Sequence, residues 1–402
     1  MATKDTGVYQ LNDGCWGYRY TLTVNGKKKD VKRIRDEAGN PFKSKRSAII
    51  ARTNALQQEF APAPDKAIVR KTVNDVFTEF CEKGRKDRAY QTIRKQDSLW
   101  ENHLKDRFGK RFVDDISVAE ITDYLSELYY TENMSYMYVE SFLKMFYLIF
   151  GQAYSRNYLA VDVYNKLCVN KDTKIRMPKR KAEDDTDIIA FTREELNLLD
   201  EYFRGTNAET AYLLGRYCGL RINECYGLKW ENVDLEKGTI TINRQMQYQD
   251  GIIKLVAPKT HNSNRTIFMC AALKDYFVEL AQQREHDQTE FAEQRNQKQT
   301  FVADLGGGTV SSLELVNTLP DGKIQTVNSM KYHSRIIKEK FGIDFKFHHL
   351  RHTYGTLMAE MNTPTHLLCN QMGHGNIHTT QKYYIAISKT GVEVLQNNLN
   401  RL

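Results

Sequence analysis

Along residues 8–34 apolar and polar positions alternate, with Val8, Tyr9, Trp16, Tyr18, Tyr20, Leu22 and Val24 on the apolar beat and Asn25-Gly26 between two runs. A period of two places alternate side chains on one face of a strand, and Asn-Gly accepts the positive φ of a tight hairpin turn. The pattern predicts two or three antiparallel strands. From Ser44 to Phe60, opening with Ser-Lys-Arg-Ser, it becomes helical. Ala61-Pro62-Ala63-Pro64 follows and cannot propagate a helix, because proline has no amide proton, so it reads as a stiff linker. From Thr72 to about Leu167 apolar residues recur every three or four positions, as in Val73, Val76, Phe77 and Phe80 and in Ile121, Leu125 and Leu128. Four or five helices and no strand are predicted there. The aromatic run Tyr129, Tyr130, Tyr136, Tyr138, Phe142, Phe146, Tyr147 and Phe150 reads as their packed core.

Between Asn170 and Asp187 the pattern gives way to charge, with Lys171, Lys174, Arg176, Lys179, Arg180 and Lys181 around one proline and then an acidic run from Glu183. That is linker composition. Thr192 and Glu195 form a capping-box pattern that should start the next helix, and the remainder is mainly helical. One interruption, Gly238 to Val256, alternates like a hairpin around Gln249-Asp250-Gly251. The fold class expected is multidomain and mainly α: a small N-terminal three-stranded sheet plus helix, an all-helical domain, and a mainly helical third domain with a β-hairpin insertion. The boundaries read as 1–64, 65–170, a basic linker 171–187, and 188–402.

Composition narrows the functional class. A formal charge of +8 and a pI near 8.9 favour a polyanionic partner, since each phosphate neutralised by Lys or Arg releases condensed counterions. Lys27, Lys28, Lys29, Lys32, Arg33 and Arg35 crowd the second half of the N-terminal ribbon, a shape thin enough to enter a DNA major groove. Lys179 and Arg180 in the linker are further candidates, as is the surface carrying Arg85, Lys86, Arg88, Arg94 and Lys95. Seven scattered cysteines without a Cys-x-x-Cys pair argue for reduced thiols in a cytoplasm rather than a zinc site or a disulfide framework. The N-terminus lacks the apolar core of a signal peptide, and no run approaches the ~20 apolar residues that cross a bilayer.

Candidate chemistry is concentrated in the last domain. Gly219-Leu220-Arg221-Ile222-Asn223-Glu224 sets Arg221 and Glu224 at helical spacing; in isolation such a pair is a surface ion pair. Phe347-His348-His349-Leu350-Arg351-His352-Thr353 puts His348 and Arg351 on one helix face. The three histidines lack an accompanying acidic or cysteine cluster, so no metal is expected. Met372-Gly373-His374 and Thr379-Thr380-Gln381-Lys382-Tyr383-Tyr384 follow. Breaking a phosphodiester without metal needs a nucleophile, a proton donor for the leaving oxygen, and cations around the developing charge, and these residues supply all three.

In order and spacing these motifs resemble the tyrosine recombinase, or phage integrase, family, whose pattern is Gly-Leu-Arg-x-x-Glu, a hairpin Lys, His-x-Leu-Arg-His, Leu-Gly-His and Thr-Thr-x-x-Tyr. Arg221, Lys259, His348, Arg351, His374 and Tyr383 take those positions, with Glu224 in support. Lys259 lies in Lys-Thr-x-x-Ser-x-Arg, with Ser263 and Arg265 after it. Met372 replaces the usual Leu, and the His that commonly follows the nucleophile by two residues is absent, leaving Tyr384 as a rival to Tyr383.

The resemblance implies that Arg221 and Arg351 hold the scissile phosphate, that His348 and His374 add hydrogen bonds, and that Tyr383 attacks phosphorus with His348 as proton acceptor. Lys259 then protonates the 5′ oxygen. The 3′-phosphotyrosine intermediate needs neither ATP nor any cofactor. As in integrases of conjugative transposons and temperate phages, residues 8–60 would bind arm sites, while 68–168 and 188–402 close a clamp on the core site. Implied partners are double-stranded DNA at core and arm sites, a homotetramer passing through a Holliday junction, a host DNA-bending protein and an excision factor, with no membrane; the setting is the bacterial nucleoid. The tail from Gly391 to Leu402 would dock on a neighbouring protomer or on its own domain. Two rivals stay open: a dimer-resolving recombinase of the same family, against which residues 1–64 count, and a catalytically silent DNA-binding protein.

Overall fold

A computed structural model of the chain describes residues 7–24, 27–36, 39–59, 68–181, 189–258, 261–387 and 399. The Asn25-Gly26 turn, the side chains of Lys27, Lys28 and Lys29, the Ala61–Pro64 segment, Lys259 and most of the tail from Gly391 lie outside that set. The chain forms two compact units, 1–184 and 185–402.

The alternation near the N-terminus yields three strands, β1 (Val8–Gln10), β2 (Trp16–Val24) and β3 (Lys27–Arg33), antiparallel in the order β1-β2-β3. Tyr18 pairs with Arg33 and Tyr20 with Val31 in the β2–β3 register. Tyr18 and Tyr20, two apart and so on one face, pack with Phe42 and Ala48 under the helix Lys45–Glu59. Ser44 starts that helix by accepting the Ser47 amide proton at 3.2 Å. On β3 the side chains of Lys32 and Arg33 are exposed, as is Arg35 just beyond it.

Five helices follow, 73–84, 90–108, 118–131, Tyr136–Ser155 and 161–169. Thr72 opens the first with a reciprocal capping box to Asp75, and Ser117 caps the third. Their apolar faces enclose Phe77 stacked on Trp100 at 4.3 Å and Phe108 edge-on to Phe146 at 5.2 Å. The aromatic run divides. Tyr129, Phe142, Phe146 and Phe150 are in the core, whereas Tyr130 is 45% exposed. Residues 171–181, whose composition reads as a linker, lie against this helical body: Ile175 is fully buried and its carbonyl accepts from the Tyr147 hydroxyl at 2.6 Å. The Tyr130 hydroxyl donates to the Lys179 carbonyl, and Arg180 and Lys181 sit over the Tyr136 and Tyr129 rings at 5.4 and 5.2 Å. Basic charge there is displayed on a packed strap, because aromatic faces and hydroxyls give the segment partners that composition does not reveal.

In the second unit Thr192 and Glu195 make the expected capping box at the start of the helix Arg193–Phe203. Helices Glu209–Cys218, Val327–Phe341 and Phe347–Glu360 share one core with two small sheets. The span Gly238 to Val256 is not a single hairpin. Its first strand, β5 (Thr239–Ile242), lies between β4 (Val233–Asp234) and β8 (Arg265–Phe268), and it contributes Ile240 and Ile242 to the core. The hairpin proper is β6 (Gln245–Gln249) and β7 (Ile252–Val256), turning through Asp250 and Gly251 with φ of 50° and 82°. Two successive positive φ values mark the mirror-image turn whose twist suits a two-residue hairpin. Strands β9 (Phe301–Ala303) and β10 (Thr309–Ser311), too short to show a period, extend that sheet in the order β10-β9-β7-β6.

Truncating Phe146, 1% exposed among Phe108, Tyr124 and Phe150, should cost the helical body about 3–5 kcal/mol through lost transfer energy and a residual cavity. Urea unfolding of Phe146→Ala beside the parent chain measures it.

Candidate active site

The helix Glu209–Cys218 stops at Gly219, whose φ of 61° is left-handed and where a Cβ would lie 2.6 Å from the Tyr354 ring. Only a residue without a side chain turns there at low cost. The turn delivers Arg221 to the N-cap of the helix Ile222–Tyr226, where its amide and its Nη1 both donate to Glu224, at 3.0 and 2.8 Å. Glu224 is 1% exposed, unlike a surface ion pair. Its carboxylate also accepts from Arg265 on β8, through Nη2 at 3.1 Å and Nη1 at 3.2 Å. Arg265 in turn donates from Nε to the Gln371 carbonyl at 2.9 Å. Burial works against the charge on Glu224, but Arg265 and then Arg221 outweigh it and hold the carboxyl below its ordinary range.

Arg351 projects from the helix Phe347–Glu360, also 1% exposed. It donates from Nη1 to the Gly219 carbonyl at 2.6 Å and from Nη2 to the Met372 carbonyl. The two turns that carry Arg221 and His374 are thereby tied to the same guanidinium. Burial, reinforced by Arg221, pushes Arg351 down to about 9, still charged at neutral pH.

Tyr383 comes from the helix Ile377–Ile387 and is 3% exposed. Its ring lies over Gly355, where a Cβ would stand 2.8 Å from Tyr383 Cε2, and parallel to the His374 ring at 6.3 Å. Its hydroxyl meets Nδ1 of His352 at 3.0 Å. His374 is oriented by Thr380, Nδ1 to Oγ1 at 2.8 Å, and burial with Arg351 and Arg221 pushes it down to about 3. Burial raises Tyr383 above its ordinary phenol value, partly offset by Arg351 and Arg221. The rival, Tyr384, donates its hydroxyl to the Thr363 carbonyl.

Arg221, Glu224, Arg351, His374 and Tyr383 thus come together from four segments. His348 stands one turn from His352, ring centroids 4.6 Å apart, and burial with Arg351 and Arg221 lowers it. Lys259, between β7 and β8 in sequence, falls outside the described residues. Among the described residues no group of His, Cys, Asp and Glu is arranged to hold a metal ion. Two side chains carry more than their sequence positions indicate. Arg265 was legible only as the last letter of a motif, yet it shares the buried carboxylate; His352 was legible as one of three histidines, and its spacing of four from His348 is the signal that puts it on the same face.

Removing the carboxylate leaves Arg265, with a side chain only 6% exposed, without its counter-charge. Glu224→Ala should therefore destabilise the second unit by about 3–5 kcal/mol, the usual result of breaking a buried pair from one side. Hydrogen exchange of the 347–360 amides in the full chain, against Glu224→Gln as the milder change, reads the loss.

Comparison with known proteins places this geometry. The profile of the "Phage integrase family" matches residues 191–390, and that of the "Phage integrase, N-terminal SAM-like domain" matches residues 72–129. A XerC-like tyrosine recombinase of Caldanaerobacter subterraneus subsp. tengcongensis is 28% identical over 388 residues, spanning 91% of each chain. The ICEBs1 integrase of Bacillus subtilis strain 168 is 21% identical over 350 residues, 86% of this chain and 87% of its own. Among solved structures, the Tn1549 transposon integrase in complex with transposon right end DNA has a TM-score of 0.62 at 17% identity, over 81% of this chain and 100% of that one. The lambda integrase dimer bound to a core site reaches 0.53 at 14% identity, over 96% of each chain. These two share its fold. The chain belongs to the phage integrase family and is a tyrosine recombinase that carries out site-specific recombination.

Proposed function

We propose that the chain integrates and excises a mobile element by cleaving and rejoining DNA through a 3′-phosphotyrosine on Tyr383. The observation that carries this reading is the convergence of Arg221, Arg351, His374 and Tyr383, from separate segments, in one cluster. Arg221 and Arg351 face the non-bridging oxygens of the scissile phosphate, and His348 and His374 donate to them as charge grows. Tyr383 attacks phosphorus and Lys259 protonates the departing 5′ oxygen. The phosphotyrosine conserves the bond energy, so a 5′ hydroxyl from a second duplex reverses the step without ATP, metal or cofactor. Four protomers act on two duplexes through a Holliday junction, with a host DNA-bending protein and an excision factor setting direction, at the bacterial nucleoid. Among the described residues no helix is long and apolar enough to cross a membrane.

Residues 1–64 serve as the arm-site domain, 65–170 as the core-binding domain, and 188–402 as the catalytic domain. Exposed Lys32 and Arg33 on β3 support a DNA-facing ribbon, and Lys179 and Arg180, exposed on the packed strap, support a second phosphate contact.

On a nicked duplex carrying the junction of the element's ends, the parent chain and Tyr384→Phe should form an SDS-resistant covalent adduct, and Tyr383→Phe none. An adduct that survives Tyr383→Phe and vanishes with Tyr384→Phe reverses the assignment. The paired change Lys28→Ala with Lys29→Ala should weaken arm-site binding and lower its salt slope by about 2, near 0.9 per phosphate contact, while core-site cleavage persists. Bandshift titrations at several salt concentrations show it; equal losses at both sites contradict the division of labour.

A further inference from the structure

The family pattern gives roles to His348 and His374, yet the imidazole that touches the nucleophilic oxygen is a third one. Among the described residues the hydrogen-bond partner of the Tyr383 hydroxyl is Nδ1 of His352, at 3.0 Å. Three contacts orient the phenol: its ring lies close against Gly355, the His374 ring is parallel to it, and Nδ1 of His352 meets its oxygen. His352 is itself steadied by the His348 ring, edge-on at 4.6 Å.

We propose that His352 is a further catalytic residue, whose Nδ1 accepts the hydrogen bond of the Tyr383 hydroxyl and receives the phenolic proton as the oxygen bonds to phosphorus. The inference rests on Tyr383 being the nucleophile. As the Oη–P bond forms, the pair from the O–H bond stays on Oη and the proton passes to Nδ1. The P–O5′ bond breaks with its electrons on the 5′ oxygen, which takes a proton from the leaving-group acid, the role given above to Lys259. Ligation returns both protons. Burial first, then His348, His349 and Arg351, hold His352 down to about 4, so at neutral pH its imidazole is uncharged and has a lone pair to offer. An arriving phosphate sets negative charge against the same cations and strengthens that nitrogen as a base at the moment it is needed. His348 then remains available for the phosphate oxygens.

The test is single-turnover cleavage of the nicked duplex, with an ordinary and with a 5′-bridging phosphorothiolate at the scissile position, by His352→Ala, His352→Phe and His352→Asn. Sulfur leaves without a proton, so a defect in protonating the leaving group disappears on that substrate and a defect in activating the nucleophile persists. His352→Ala should lose about 10²-fold on both substrates, the lower end of the range for one acid–base group. His352→Phe keeps the ring packing but has no acceptor, and should be as slow; His352→Asn, which restores an acceptor near the Nδ1 position, should recover most of the rate. Bandshifts matching the parent show that the variants fold. A Phe variant as fast as the parent, or an Ala defect erased by the phosphorothiolate, overturns the proposal. If the parent forms no adduct at all, the reading of Tyr383 fails instead.

Discussion

The carboxylate of Glu224, buried between the guanidinium groups of Arg221 and Arg265, is the contact on which the site depends. A carboxylate taken out of water is tolerated only when its lone pairs are met by charge or by N–H groups, and here both arginines and the Arg221 amide meet it. The constraint is mutual. Arg221 is aimed from its own side of the carboxylate, while Arg265 carries the pairing across to the Gln371 carbonyl and so to the turn that ends in Gly373-His374. One ionic cluster therefore fixes the spacing between strand β8, the Arg221 turn and the His374 turn.

Arg351 closes the same arrangement through carbonyls alone. Its bonds to Gly219 and Met372 join the turn before Arg221 to the turn before His374, so Arg221, Arg351 and His374 converge, with the Glu224 carboxylate bonded to Arg221 and Arg265 and the Arg351 guanidinium bonded to carbonyls. Burial first, and then the positive potential of Arg351 and Arg221, lowers His348 and His374, and the same potential offsets part of the rise that burial gives Tyr383. A cluster of cations arranged in this way is organised for an anion, and its fixed groups need little reorganisation when charge develops on a phosphate.

Rigid support comes from close approach. Gly219 beneath Tyr354, and Gly355 beneath Tyr383, let rings fill the volume a Cβ would occupy, so the helix of Tyr383 packs directly on the helix that carries His348, Arg351 and His352. The unit before it is organised differently, around interlocked aromatic rings, and wears its basic strap on Tyr129, Tyr130 and Tyr136.

What the sequence determined by itself is what lies within one element. Alternation marked β2 and β3, helical spacing marked the helices between Thr72 and Leu167, Thr192 and Glu195 marked a cap, and His348 and Arg351 announced one helix face. These follow from periods of 2 and 3.6 and from capping chemistry, which are local. Tertiary structure decided the rest. The Arg221–Glu224 pair looks like surface decoration until Arg265 arrives from 41 residues away. Residues 171–181 read as a linker until Tyr147 and Tyr130 bond to their carbonyls. Tyr383 and Tyr384 are neighbours in sequence yet have separate partners, His352 for one and the Thr363 carbonyl for the other. The physical reason is common to all three: burial and hydrogen-bond partnership depend on which distant segments share a volume, and no local period records that.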